Sequence, residues 1–149
     1  MLRAYLKTLT RRQNTALIWL AALYVSTWIL TFLGVFDAAP KIDIPYHFFG
    51  GFFVGLFFID VFRKALVAER LMWHDAAVIV GAALIVGFLW EVHEYLLTAV
   101  MGDFFTVRGI TCCIGDLFDT LKDLLMDSLG AFIIFLLVRR QHKKSAMFR

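Results

Sequence analysis

Nine side chains able to bind a metal or move protons fall into three short patterns. They are Asp43-x3-His47, Glu91-x-His93-Glu94, and the ladder Asp116, Asp119, Asp123 and Asp127. A helix turns about 100° per residue, so the four aspartates share an arc of roughly 80°. Two carboxylates about 6 Å apart repel by roughly 3 kcal/mol at an effective dielectric near 20. Such a group therefore needs a cation, a basic partner or shared protons. His47 and Lys122 are too few for the seven acids of these patterns. A divalent ion would balance them, and oxygen-rich ligands with one imidazole suit Mg²⁺, Mn²⁺, Ca²⁺ or Zn²⁺. The candidate ligands are Asp119, Asp123, Glu91, His47, Asp116 and Asp127, with Glu94 or Asp43 as the base for a metal-activated water.

Helical phase sorts these residues further. Asp43 and His47 share a face with Gly51 and Gly55, a small-residue stripe that lets a neighbouring helix approach closely. Gly87, Glu91 and Glu94 fall within about 60° of one another, whereas His93 points nearly opposite Glu91. Lys122 sits roughly 60° off the aspartate face, near enough to neutralise Asp119 or to snorkel outward. Asp43, two residues before Pro45, and Asp116, after Gly115, are also suited to capping helix starts.

The elements that must position these groups are membrane spans. The chain has 149 residues, is 61% hydrophobic and has a mean hydropathy of +0.78. A soluble domain is about 45–50% apolar. Four apolar segments, at residues 16–36, 43–66, 73–100 and 116–138, are long enough to cross a hydrocarbon core of about 30 Å. The expected fold is all-α, a single membrane domain over residues 1–149 with four transmembrane helices in a bundle.

Lys and Arg counts set the orientation. The N-terminal tail holds four, the loop with Arg63, Lys64 and Arg70 three, and the C-terminal tail five. The other two loops hold one each, Lys41 and Arg108. Both termini then face the cytoplasm, and all three acidic patterns come to the extracytoplasmic leaflet. Ionisable groups within spans are costly and read as functional.

Several classes are excluded. The basic residues sit where lipid headgroups would meet them, which removes a nucleic-acid reading of the pI near 9.0. The first apolar run, with Trp19 and Trp28, exceeds the 7–15 residues or so of a signal peptide's apolar core. Adjacent Cys112 and Cys113 form no disulfide framework and read as an ordinary loop pair. Haem between His47 and His93 would face a wall of carboxylates, and Glu91-x-x-Glu94 departs from the Glu-x-x-His of di-iron bundles. His74 and His142 read as solvated, and Asp60 as a partner of Arg63 or Lys64. The phenylalanines from Phe48 to Phe58 read as lipid contact and packing.

Asp43-x3-His47-Phe48, Trp90-Glu91-x2-Glu94 and Asp116-x2-Asp119-Thr120-x2-Asp123, ending in Gly130-Ala131, together resemble the YjdF-type small bacterial inner-membrane proteins. More distantly they are similar to VanZ-like membrane proteins, which are associated with glycopeptide resistance and hence the cell envelope. The resemblance covers about residues 43–131. It implies a compact helical protein of the bacterial cytoplasmic membrane and brings no defined activity with it. Lys122 and Asp127 depart from the family pattern, where an aromatic and a small apolar residue are expected.

Three functions fit these residues. The first is a divalent-metal site open to the extracytoplasmic side, acting in its enzymatic version on lipid or envelope phosphoesters or esters. No nucleophile motif accompanies it, so the sequence does not decide whether the protein is an enzyme. The second is proton or cation transport down the Asp116–Asp127 ladder toward Asp60. The third is a non-catalytic envelope or lipid-headgroup-binding module. The lipid bilayer is the partner in every case, and a homo-oligomer is compatible with all three.

Overall fold

The computed structural model describes residues 9–62, 72–110 and 115–147. Arg63, Lys64, Arg70, Cys112 and Cys113 lie outside the described residues, as do Arg3, Lys7 and the side chains beyond Gln141. The described residues are all helical, without strands. Four long helices carry the fold: α1 (Arg11–Phe32), α3 (Asp43–Val61), α4 (Met72–Thr106) and α5 (Leu117–Met147). A one-turn helix, α2 (Val35–Ala38), and a 3₁₀ turn (Pro40–Ile42) join α1 to α3.

Local chemistry explains the boundaries. Thr10 caps α1 in a reciprocal capping box with Gln13, so this helix begins five residues before the expected apolar edge. Gly34, at φ 68°, takes the left-handed conformation that ends α1 and turns the chain into α2. Pro45 is accommodated in the first turn of α3, where a missing N–H costs nothing. Asp43 opens α3 without making a cap hydrogen bond, so its carboxylate is available to other helices. At the start of α5, Asp116 Oδ1 accepts the Asp119 N–H at 2.9 Å, as an N-cap should. With 35 residues, α4 runs beyond the expected span at its C-terminal end and is about 52 Å long.

Three helices, Arg11–Phe32, Pro40–Val61 and Met72–Thr106, are long and apolar enough to cross a membrane. The charges in the first half of α5 (Asp119, Lys122, Asp123 and Asp127) keep it out of that group on composition.

The tightest pairing is α3 with α5. A Cβ on Gly51 would collide with the backbone carbonyl of Asp127, one on Gly55 would crowd Ala131, and one on Gly130 would strike the Phe48 carbonyl. The small-residue stripe therefore does bring two backbones together. Two apolar layers close one end of the bundle: Val54, Ala83 and Ala131, and beneath them Ile59, Ala76, Ile79, Ile134, Phe135 and Val138. Helix α1 lies against α3, with Trp19 stacked on Phe53 at 5.7 Å and Tyr46 Oη donating to Ser26 Oγ at 2.9 Å. It meets α4 through rings, Tyr24 with Trp90 at 5.9 Å and Phe32 with Phe105 at 6.3 Å.

Candidate metal centre

His47 stands at the centre of the polar layer above the apolar core. The i, i+4 spacing puts it one turn below Asp43 on α3, and the Gly51–Asp127 crossing draws α5 against that face. Its Nε2 is 3.6 Å from Asp43 Oδ1, 4.0 Å from Glu91 Oε1 and 4.0 Å from Asp123 Oδ2. Its Nδ1 is 3.5 Å from Asp127 Oδ2. Three helices thus converge on one imidazole. Asp43, His47 and Asp123 each offer a ligand atom, all within 4.8 Å of one another.

Burial makes this group demanding. His47, Glu91, Asp123 and Asp127 are all buried. Glu91 Oε2 accepts from Thr120 Oγ1 at 2.9 Å, while Glu91 Oε1 and Asp123 Oδ1 are buried without a hydrogen bond. Buried carboxylate oxygens are normally satisfied, and here Asp123 Oδ1 has the Lys122 ammonium at 3.4 Å while Glu91 Oε1 has His47 Nε2 only at 4.0 Å. The nearest base is Lys122, 3.4 Å from Asp123 Oδ1, 3.9 Å from Asp43 Oδ2 and paired with Asp119.

The structure divides the residues singled out from sequence. It gathers His47, Asp43, Glu91, Asp123 and Asp127. Asp119 stands outside them, 40% exposed at its side chain and held by Lys122. Asp116 is exposed and caps α5. Glu94 sits one turn from Glu91, where Trp90 Nε1 donates to its Oε1 at 2.9 Å. His93 faces away from His47, with its ring 5.2 Å from Trp90 and 6.3 Å from Tyr24.

Asp127 takes a place its sequence position did not announce. Its carboxylate occupies the space left by the missing side chain at Gly87 on α4, where a Cβ would collide with it, and lies in ordinary contact with Gly50 on α3. Thr120, which sequence reasoning left without a role, ties α5 to Glu91. Its placement three residues before Asp123, on the same helical face, was the available signal.

At the opposite end of the bundle two further pairs bind helices together. Asp60 meets Thr10 Oγ1 and, at 3.7 Å, Arg12 of α1. This adds partners from a distant helix to the expected local ones, which lie outside the described residues. Asp75, buried on α4, is 3.5 Å from Arg139 of α5 and from the exposed His74.

Beside the metal candidates lies a cavity of about 120 Å³ between α1, α3 and α4. Its wall is mostly apolar, and Asp43, His47, Glu94 and Asp127 give it one polar end.

Residues 3–144 match the family described as "Predicted membrane protein (DUF2238)", and the chain belongs to that family. This is the family of the YjdF-type proteins that the three motifs resemble. A Thermotoga maritima protein described as "Uncharacterized protein" is 25% identical over 140 residues, which are 91% of this chain. The chain spans 66% of that relative's own length. No solved structure matches.

Proposed function

We propose that this membrane protein binds one divalent metal ion through Asp43, His47 Nε2 and Asp123, with Glu91 as a fourth ligand. The observation that carries the reading is the convergence of Asp43 Oδ1, Glu91 Oε1 and Asp123 Oδ2 on His47 Nε2, with Glu91 Oε1 buried without a hydrogen bond. Ligand atoms about 2.1 Å from a tetrahedral ion stand about 3.4 Å apart. His47 Nε2 lies 3.6 to 4.0 Å from the three carboxylate oxygens, and Asp43, His47 and Asp123 offer atoms within 4.8 Å of one another, so the carboxylates, Glu91 most of all, must move inward to close the site. Octahedral Mg²⁺ brings neighbouring ligands to about 3.0 Å and asks for more closure, while the longer bonds of Ca²⁺ ask for less.

In this reading α5 is the fourth span, both termini face the cytoplasm, and the site opens to the extracytoplasmic side of the bacterial cytoplasmic membrane. The positive charges at segment ends support that orientation. The reaction proposed is metal-assisted hydrolysis of a lipid or envelope phosphoester or ester, with Glu94 as base, since Asp43 is taken up as a ligand. The more distant likeness to VanZ-like proteins supports looking for the substrate in the envelope. Transport toward Asp60 is the weaker reading, because the layers around Val54 and Ile59 interpose buried apolar side chains between Asp127 and Asp60.

The test is direct. Protein stripped with a chelator and reloaded with Zn²⁺, Mn²⁺, Ca²⁺ or Mg²⁺ should take up one ion per chain by elemental analysis. That ion should be lost in the His47→Ala, Asp123→Ala double variant. Uptake of none of the four ions by the stripped wild type would reject the proposal.

A further inference from the structure

We propose that the cavity beside His47 binds an organic ammonium ion carrying a short apolar chain. Three aromatic side chains, Phe36, Tyr46 and Trp90, line it together with the carboxylates of Asp43 and Glu94. Among the described residues no lysine or arginine lines it. Aromatic rings combined with carboxylates are what recognise alkylated ammonium groups, through attraction to the ring faces and net negative charge. The three carboxyl groups of Asp43, Glu94 and Asp127 outnumber the one imidazole, His47, in this lining, which disfavours an anionic phosphate or sulfonate.

The walls are held in place by contacts across helices and by one bond within α4. Tyr46 Oη donates to Ser26 on α1, and the Tyr46 ring packs edge-on against Phe36 at 5.7 Å. Trp90 Nε1 donates to Glu94 Oε1, which fixes indole and carboxylate together. A cavity of about 150 Å³ takes a benzene ring, so 120 Å³ has room for about five heavy atoms. A trimethylammonium group, with four heavy atoms, fits that space, and its chain would run out through the pocket's open side. The pocket shares Asp43 and His47 with the proposed metal site, while Glu91 and Asp123 lie outside its lining.

Butyltrimethylammonium and its uncharged carbon isostere, 2,2-dimethylhexane, provide the probes. Binding to the full chain in maltoside detergent is followed by saturation-transfer NMR and calorimetry. The expected result is saturable binding of the cation, at least about tenfold tighter than the isostere, and no binding of butanesulfonate. Glu94→Gln and Trp90→Leu should each weaken the cation about tenfold, while Trp90→Phe should retain most of the affinity. Equal affinity for cation and isostere, or binding of the sulfonate, would overturn the proposal on wild-type protein alone, without reference to whether a variant folds. Mn²⁺ uptake measured in parallel separates this pocket from the metal site: the Trp90→Leu protein should bind Mn²⁺ as the wild type does. Loss of both ligands together in a folded Trp90→Leu protein would also overturn it.

Discussion

His47 Nδ1 and Asp127 Oδ2 lie 3.5 Å apart in the buried layer where α3 crosses α5. This contact assigns the two ring nitrogens different tasks. With a proton on Nδ1 facing Asp127, the Nε2 lone pair faces Asp43, Glu91 and Asp123. A carboxylate behind a metal-binding histidine fixes its tautomer and raises its basicity, and losing it typically costs about 10–100-fold in affinity. In the proposed metal site Asp127 would then position His47 instead of binding the ion.

Asp127→Asn preserves the shape and removes the charge, so metal affinity should fall by about 10–100-fold with one ion per chain still bound at saturation. Mn²⁺ titration followed by electron paramagnetic resonance measures it. An unchanged affinity would place Asp127 outside the site. A halved stoichiometry would make it a ligand.

Asp123 and Asp119 should separate in the same titration. Asp123 is buried against His47, and Asp119 is exposed and turned to Lys122. Asp123→Ala should reduce affinity by at least about 100-fold, whereas Asp119→Ala should change it by less than about tenfold, because only the first removes a ligand. The reverse order would return the centre of the site to the outer end of α5.

Two glycines give a stability test independent of any ligand. Gly51→Ala drives a Cβ into the Asp127 backbone, so the helices must separate, at a cost of about 1–3 kcal/mol. Gly81, in the middle of α4, has open space around it. Gly81→Ala should be neutral or stabilising by about 0.5–1 kcal/mol, since alanine is the better helix former. Steric-trap unfolding in bicelles would measure both, and opposite signs are expected.

Much of this arrangement was legible in the sequence because membrane helices are regular. The i, i+4 spacing of Asp43, His47, Gly51 and Gly55 placed ligand, imidazole and close-approach glycines on one face, and the α3–α5 crossing follows from it. Phase also separated His93 from Glu91. What phase could not supply was depth and rotation between helices. Asp119 and Asp123 share a face of α5, yet only Asp123 descends far enough to meet His47. Asp127 was among the candidate ligands as the deepest of the ladder, but spacing along α5 did not show that Gly87, on α4, makes room for its carboxylate. The Asp75–Arg139 pair, 64 residues apart in the chain, was likewise invisible to local spacing.

Lys122 is the last residue whose role can be separated by experiment. Its Nζ stands 3.4 Å from Asp123 Oδ1 and 3.9 Å from Asp43 Oδ2, so it already contacts two of the proposed ligands. An ammonium there competes with a divalent ion in two ways. It neutralises the carboxylates the ion needs, and it repels the ion through a medium less polar than water. Lys122→Met keeps the aliphatic stem and removes the charge, so metal affinity should rise by about tenfold or more. The gain should shrink as salt is added, because Lys122 is partly exposed and its field is already screened in the wild type. Parallel titrations of the two proteins at low and high ionic strength measure this. A fall in affinity on removing Lys122 would mean that the lysine holds Asp43 and Asp123 in place for the ion instead of competing with it.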